Sequence, residues 1–167
     1  MGTVQQNGTV TPGHAAIWVT DGVIQDGGAL TASTRVLGSV RGVNFNTTTD
    51  QPILMPPSIV AFQLTGLIIT NASLSMSAAV GGFYSAVLKG GSQIVANTQV
   101  YSGLTAPASL INATLTAFGS GTRFSSVNLP LVLNAANQYA LAIYFALTTP
   151  QGAFSTADIY AVGLDLT

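Results

Sequence analysis

Beyond Leu54, apolar runs recur along the chain between short clusters of turn residues. Runs with strand character cover 58–70, 73–80, 83–89, 93–101, 110–118, 122–133, 139–148 and 155–166. Between them stand Gly81-Gly82, Gly90-Gly91-Ser92, Gly119-Ser120-Gly121, residues 134–137 and Pro150-Gln151-Gly152. These breakers have the spacing of an antiparallel sandwich or barrel and leave no helix of useful length. About eight strands predict an all-β fold, an antiparallel jelly-roll-like β-sandwich.

Two stretches predict more than their own secondary structure. Leu74, Met76 and Ala78 alternate with Ser73, Ser75 and Ser77, the pattern of a strand with one polar face. Residues 141–147 are apolar at every position, which predicts a strand buried on both faces, the outer one against a subunit neighbour.

The first fifty residues read differently. They are rich in Gly, Thr, Asn and Asp, with short apolar runs at 15–19 and 22–24 and the pairs Asp21-Gly22 and Asp26-Gly27. Asp-Gly between apolar runs signals a hairpin, because both residues tolerate the positive φ of the favoured turns. The segment holds too few large apolar side chains for a core of its own. It reads as an extended N-terminal arm, 1–50, that anchors on a subunit or particle, followed by the sandwich, 51–167, with Pro56-Pro57 near the boundary. A lone tryptophan in such a segment needs a pocket elsewhere, and Trp18 with its neighbour Ile17 is a natural interface hot spot. The anchor residues expected of the arm are Pro12, His14, Ile17, Trp18, Val23 and Ile24.

Composition narrows the classes. Charged residues make up 5% of the 167 positions, against about 25% in an average chain, and mean hydropathy is +0.51. Five aspartates face four Lys and Arg, with no glutamate. So few cations cannot build a phosphate-neutralising track, so nucleic acid is not an expected partner. The longest apolar stretch, 59–69, is broken by Gln63, Thr65 and Gly66 and falls short of the ~20 residues of a spanning helix. Residues 1–8 carry neither the basic start nor the apolar run of an export signal, so cytoplasmic synthesis and no membrane partner are expected. With no cysteine, neither disulfides nor thiolate sites contribute. An apolar, nearly uncharged chain of this kind reads as a subunit that hides surface against copies of itself or a larger assembly.

Candidate chemistry is thin. His14 is the only histidine, and a Ser-His-Asp arrangement would have to recruit it from the arm, so its expected role is a turn or interface hydrogen bond. Asp21 and Asp26 sit in turn sequences, which explains them without glycoside hydrolysis, and they lack the alternating spacing of a calcium loop. Gly119-Ser120-Gly121-Thr122 has no lysine and no following helix, so it is a strand connection and not a phosphate loop. Asn7, Asn46, Asn71 and Asn112 begin Asn-x-Ser/Thr sequences, at a frequency that chance supplies in so Asn- and Thr-rich a chain. No catalytic residue, cofactor or metal is expected.

The tract 8–14, then Trp18, then 20–28, resembles the opening of a group of tailed-bacteriophage virion proteins. Residues 147–152 through 156–160 are similar to the closing strands of small phage jelly-roll domains found in decoration proteins and fibres. The resemblance implies a virion jelly-roll subunit, commonly a homotrimer, whose arm attaches it to the major capsid protein or another virion protein. Its expected function is non-enzymatic capsid decoration or cementing. The alternative is a tail-fibre or receptor-binding subunit that grips a glycan; Tyr84, Tyr101 and Tyr139 are its aromatic candidates, although core and interface roles are the expected ones for tyrosines in strands.

Overall fold

A computed structural model describes residues 5–7, 14–20, 23–29, 34–105 and 107–167. Two compact units divide the chain, 1–32 and 33–167. In the first, β1 (Gln5–Asn7), β2 (His14–Thr20) and β3 (Val23–Ala29) form a three-stranded sheet in the order β1-β3-β2. β2 and β3 are antiparallel with Thr20 opposite Val23, the pairing expected of strands on either side of Asp21-Gly22, two residues that lie outside those described. β1 adds to β3 in parallel.

The second unit contains β4 (Thr34–Asn44), β5 (Gln51–Leu54), β6 (Ala61–Thr70), β7 (Val80–Ala86), β8 (Gly90–Val100) and β9 (Leu110–Ala113). A short helix α1 (Ala117–Gly121) follows, then β10 (Arg123–Ser125), β11 (Leu131–Leu133), β12 (Tyr139–Thr149) and β13 (Thr156–Asp165). Eight of these strands pair in a nested series: β4 with β13, β5 with β12, β6 with β9, and β7 with β8. Successive pairs alternate between two antiparallel sheets, ordered β4-β13-β6-β9 and β5-β12-β7-β8. A long hairpin rolled in this way is a jelly roll. β10 pairs with the start of β6, and β11 with the start of β12.

The core lies between the sheets. Phe145 of β12 is its aromatic hub, with ring centroids 4.9 Å from Phe45, 5.1 Å from Phe83 and 5.8 Å from Tyr101. At the other end Phe62 stacks on Phe124 at 5.3 Å. Such pairs prefer offset or edge-on geometry, and each adds specificity beyond the apolar area it removes from water.

Four expectations need correction. The sandwich begins at Thr34, not near residue 51, because β4 pairs along its length with β13 and β5 with β12. β4 escapes a periodicity reading since only Leu37, Gly38 and Val43 are buried, without alternation. Residues 73–79 are loop, not strand: the Ser73 hydroxyl accepts from Thr156 N at 2.9 Å, while Met76 is buried in the core.

Gly81-Gly82, expected to break the chain, lies inside β7. A Cβ at Gly81 would stand 2.5 Å from the Ala146 carbonyl oxygen, and one at Gly82 2.6 Å from that of Val95, so these glycines permit close strand approach. Finally, β12 is buried from Ala140 to Leu147 without a neighbouring subunit. Leu141, Ile143, Phe145 and Leu147 enter the core, and on the other face Tyr144 lies directly opposite Tyr84.

Candidate functional site

The anchor residues come first. Pro12 lies outside the described residues. In the arm sheet the register sets His14 opposite Ala29, Ile17 opposite Gln25, Trp18 opposite Ile24 and Val23 opposite Thr20. Trp18 and Ile24 are therefore cross-strand partners in the backbone register.

Each carboxylate of the sandwich has a partner that fixes structure. Asp158, largely buried, accepts from Gly42 N at 2.9 Å and Asn71 Nδ2 at 3.1 Å, tying together two positions of positive φ. Asp165 accepts from the Thr167 hydroxyl at 2.5 Å and Thr167 N at 3.1 Å and pairs with Arg35. The Thr167 bonds first, then Arg35, hold its carboxyl below the usual range despite some desolvation. Asp50 accepts from Leu88 N and so ties the β4–β5 loop to the β7–β8 hairpin tip. Among the described residues no three His, Cys, Asp or Glu side chains gather where they could hold a metal ion. No described helix is long and apolar enough to cross a membrane.

The glycan-platform tyrosines part company. Tyr84 and Tyr101 are 2% and 0% exposed. Burial, with a smaller contribution from the Asp50 charge, raises the pKa of both Tyr84 and Tyr144. Burial also raises that of Tyr101, whose hydroxyl donates to the Gly81 carbonyl at 3.3 Å. Only Tyr139 is presented to solvent, 65% exposed. It borders a cavity of about 250 Å³ with Pro57, Ile59, Val60, Ser126, Leu131 and Leu141.

Around that cavity the surface is apolar. Val60, Leu131, Leu133 and Tyr139 are each more than half exposed. The pairing of β11 with β12 sets Leu133 opposite Tyr139 with Leu131 two residues along, and Val60, just before β6, lines the same cavity as Leu131 and Tyr139, so the four share one rim. Sequence reasoning missed this rim. Its members fall inside runs that read as ordinary strand, and exposure depends on where each strand ends against its partner.

No protein-family model matches the chain, and searches of curated proteins and of solved structures return no match either.

Proposed function

We propose that this chain is a non-enzymatic structural subunit of a virus particle. Its role is capsid decoration or cementing, in which copies bind one another, as a homotrimer, and the major capsid protein or another virion protein. The observation that carries this reading is the apolar rim of Val60, Leu131, Leu133 and Tyr139, beside a core that one chain already closes. Apolar side chains that the fold leaves out of its own core are available for a partner. Covering them adds roughly 25 cal/mol per Å² before association costs are subtracted. The arm is a compact unit of its own, in which Trp18 and Ile24 are register partners, and this supports an anchoring role.

Location on the particle is the direct test. Electron cryomicroscopy of purified particles that contain this chain should show its density repeating over the capsid lattice. Density confined to the tail or its appendages would overturn the cement role and establish a fibre or receptor-binding subunit. That second reading is favoured by one feature, a cavity lined by Thr48, Thr49, Asp50, Leu88 and Lys89 at the tip of the β7–β8 hairpin.

A further inference from the structure

β7 and β8 are joined by a turn that their sequence does not favour. Gly90 N donates to the Val87 carbonyl at 3.0 Å, and the two central residues, Leu88 and Lys89, stand at φ 58° and 54°. This is the primed two-residue hairpin turn, whose twist matches the strands and whose usual occupants are Asn and Gly. Leucine pays a steric penalty there, through its Cβ and the following carbonyl. Packing does not compensate, because the Leu88 residue is 89% exposed. A strained conformation that displays a side chain to solvent points to a use outside the fold.

The surroundings of the tip define that use. Loop 47–50 reaches the tip, held by the Asp50 carboxylate accepting from Leu88 N. The loop is itself preset: the Thr47 hydroxyl accepts from Thr49 N at 3.1 Å and donates to the Thr49 hydroxyl at 3.0 Å. Between loop and tip is a cavity of about 340 Å³ lined by Thr48, Thr49, Asp50, Leu88 and Lys89, within the roughly 300–1,000 Å³ range of small-ligand sites. One carboxylate and one ammonium cancel, so the pocket exerts no net pull on a simple ion. Its side chains offer both donors and acceptors, with a single apolar face supplied by Leu88. A ligand that matches them is neutral, carries several hydroxyls and has one aliphatic face.

We infer that this pocket binds a saccharide, with hydroxyls on Thr48, Thr49, Asp50 and Lys89 and a ring C–H face on Leu88. The inference stands apart from the particle-binding role, since the apolar rim takes no part in it.

The test is an amide chemical-shift titration of the isotope-labelled full chain with glucose, galactose, mannose, N-acetylglucosamine and rhamnose, followed by a glycan array. Saturable shifts at Thr48, Thr49, Leu88 and Lys89 are expected with at least one sugar. Asp50→Asn, which keeps an acceptor for Leu88 N, and Lys89→Ala should each weaken binding about tenfold, the effect of losing one charge-assisted hydrogen bond. The double variant Leu88→Asn, Lys89→Gly should melt at higher temperature than the parent and yet lose saccharide binding. The inference is overturned if no saccharide on either platform binds, if the shifts lie elsewhere, or if the double variant gains stability and binds as before. It is equally overturned if acetate or sulfate shifts the same amides in preference to sugars. Particle attachment, scored separately, should be unchanged by all three variants; its own absence in the parent would count against the cement role alone.

Discussion

Single residues in the sandwich carry identifiable strain or shortage. The Ser155 hydroxyl is fully buried and has no hydrogen-bond partner among the described residues. An unpaired buried hydroxyl sacrifices its hydration without return, so Ser155→Ala should stabilise the fold by about 1 kcal/mol, seen as a higher urea midpoint at unchanged slope. An unchanged or lower midpoint would mean that the hydroxyl has a partner after all. Gly81 is the opposite case. Its missing Cβ would meet Ala146 and Leu147 backbone atoms at 2.5 Å, so Gly81→Ala should destabilise by about 3 kcal/mol through forced separation of β7 from β12. Neither property was legible in the chain. Gly81-Gly82 reads as a turn until its neighbours in space are known, and the isolation of Ser155 depends on what the fold fails to place beside it.

At the level of elements, the long apolar runs were readable and the edges were not. Residues 139–148 and 155–166 became β12 and β13 because central strands must be apolar on the faces that they bury. β4 and β5 stayed hidden, since an edge strand with one narrow buried stripe lacks a period to detect. The alternation at 73–78 misled for the converse reason: Met76 alone is buried there, and the loop hydroxyls serve β13 and Gln151. β7 and β12 also place Tyr84 and Tyr144 opposite each other, near enough to Asp50 for its charge to act on both. With Tyr101, three tyrosines hold their protons above the ordinary value of 10.0 when folded. The unfolded chain releases those protons near 10, so the folded state binds more of them at alkaline pH. The stability that this linkage carries is fully present below pH 10 and is lost as pH rises beyond it. Melting temperature should therefore fall above pH 10, and tyrosinate absorbance from these three should appear together with unfolding; free titration before unfolding would contradict their burial.

The molecule as a whole is two units, and that division predicts behaviour. Removing residues 1–32 should leave the sandwich's cooperative melting transition in place, because the arm forms a compact unit of its own. Particle attachment should be lost with it, as scored by co-sedimentation, and full occupancy by the truncated chain would remove the anchor role. Attachment of the intact chain should survive molar NaCl, since only 5% of its residues are charged and screening acts on charges alone; release at modest ionic strength would refute an apolar interface. The antiparallel pairing of β2 with β3 was legible through Asp21-Gly22, while the rim and the strained tip were not. Both come from where strands stop and which turn joins them, matters decided by pairing partners far away in the chain.

The nested pairing also sets a timetable. β13 lies between β4 and β6 and bonds to both, yet it leaves the ribosome after every other strand of the sandwich. Until 156–165 emerge, one sheet has a gap at its centre, with two unsatisfied strand edges facing across it. Elongating chains must keep those edges from pairing with each other or with neighbours on the same message, and long-range closure of this kind is slow. A cell that makes this protein at high copy number is therefore expected to hold its nascent chains on a chaperone until β13 is released.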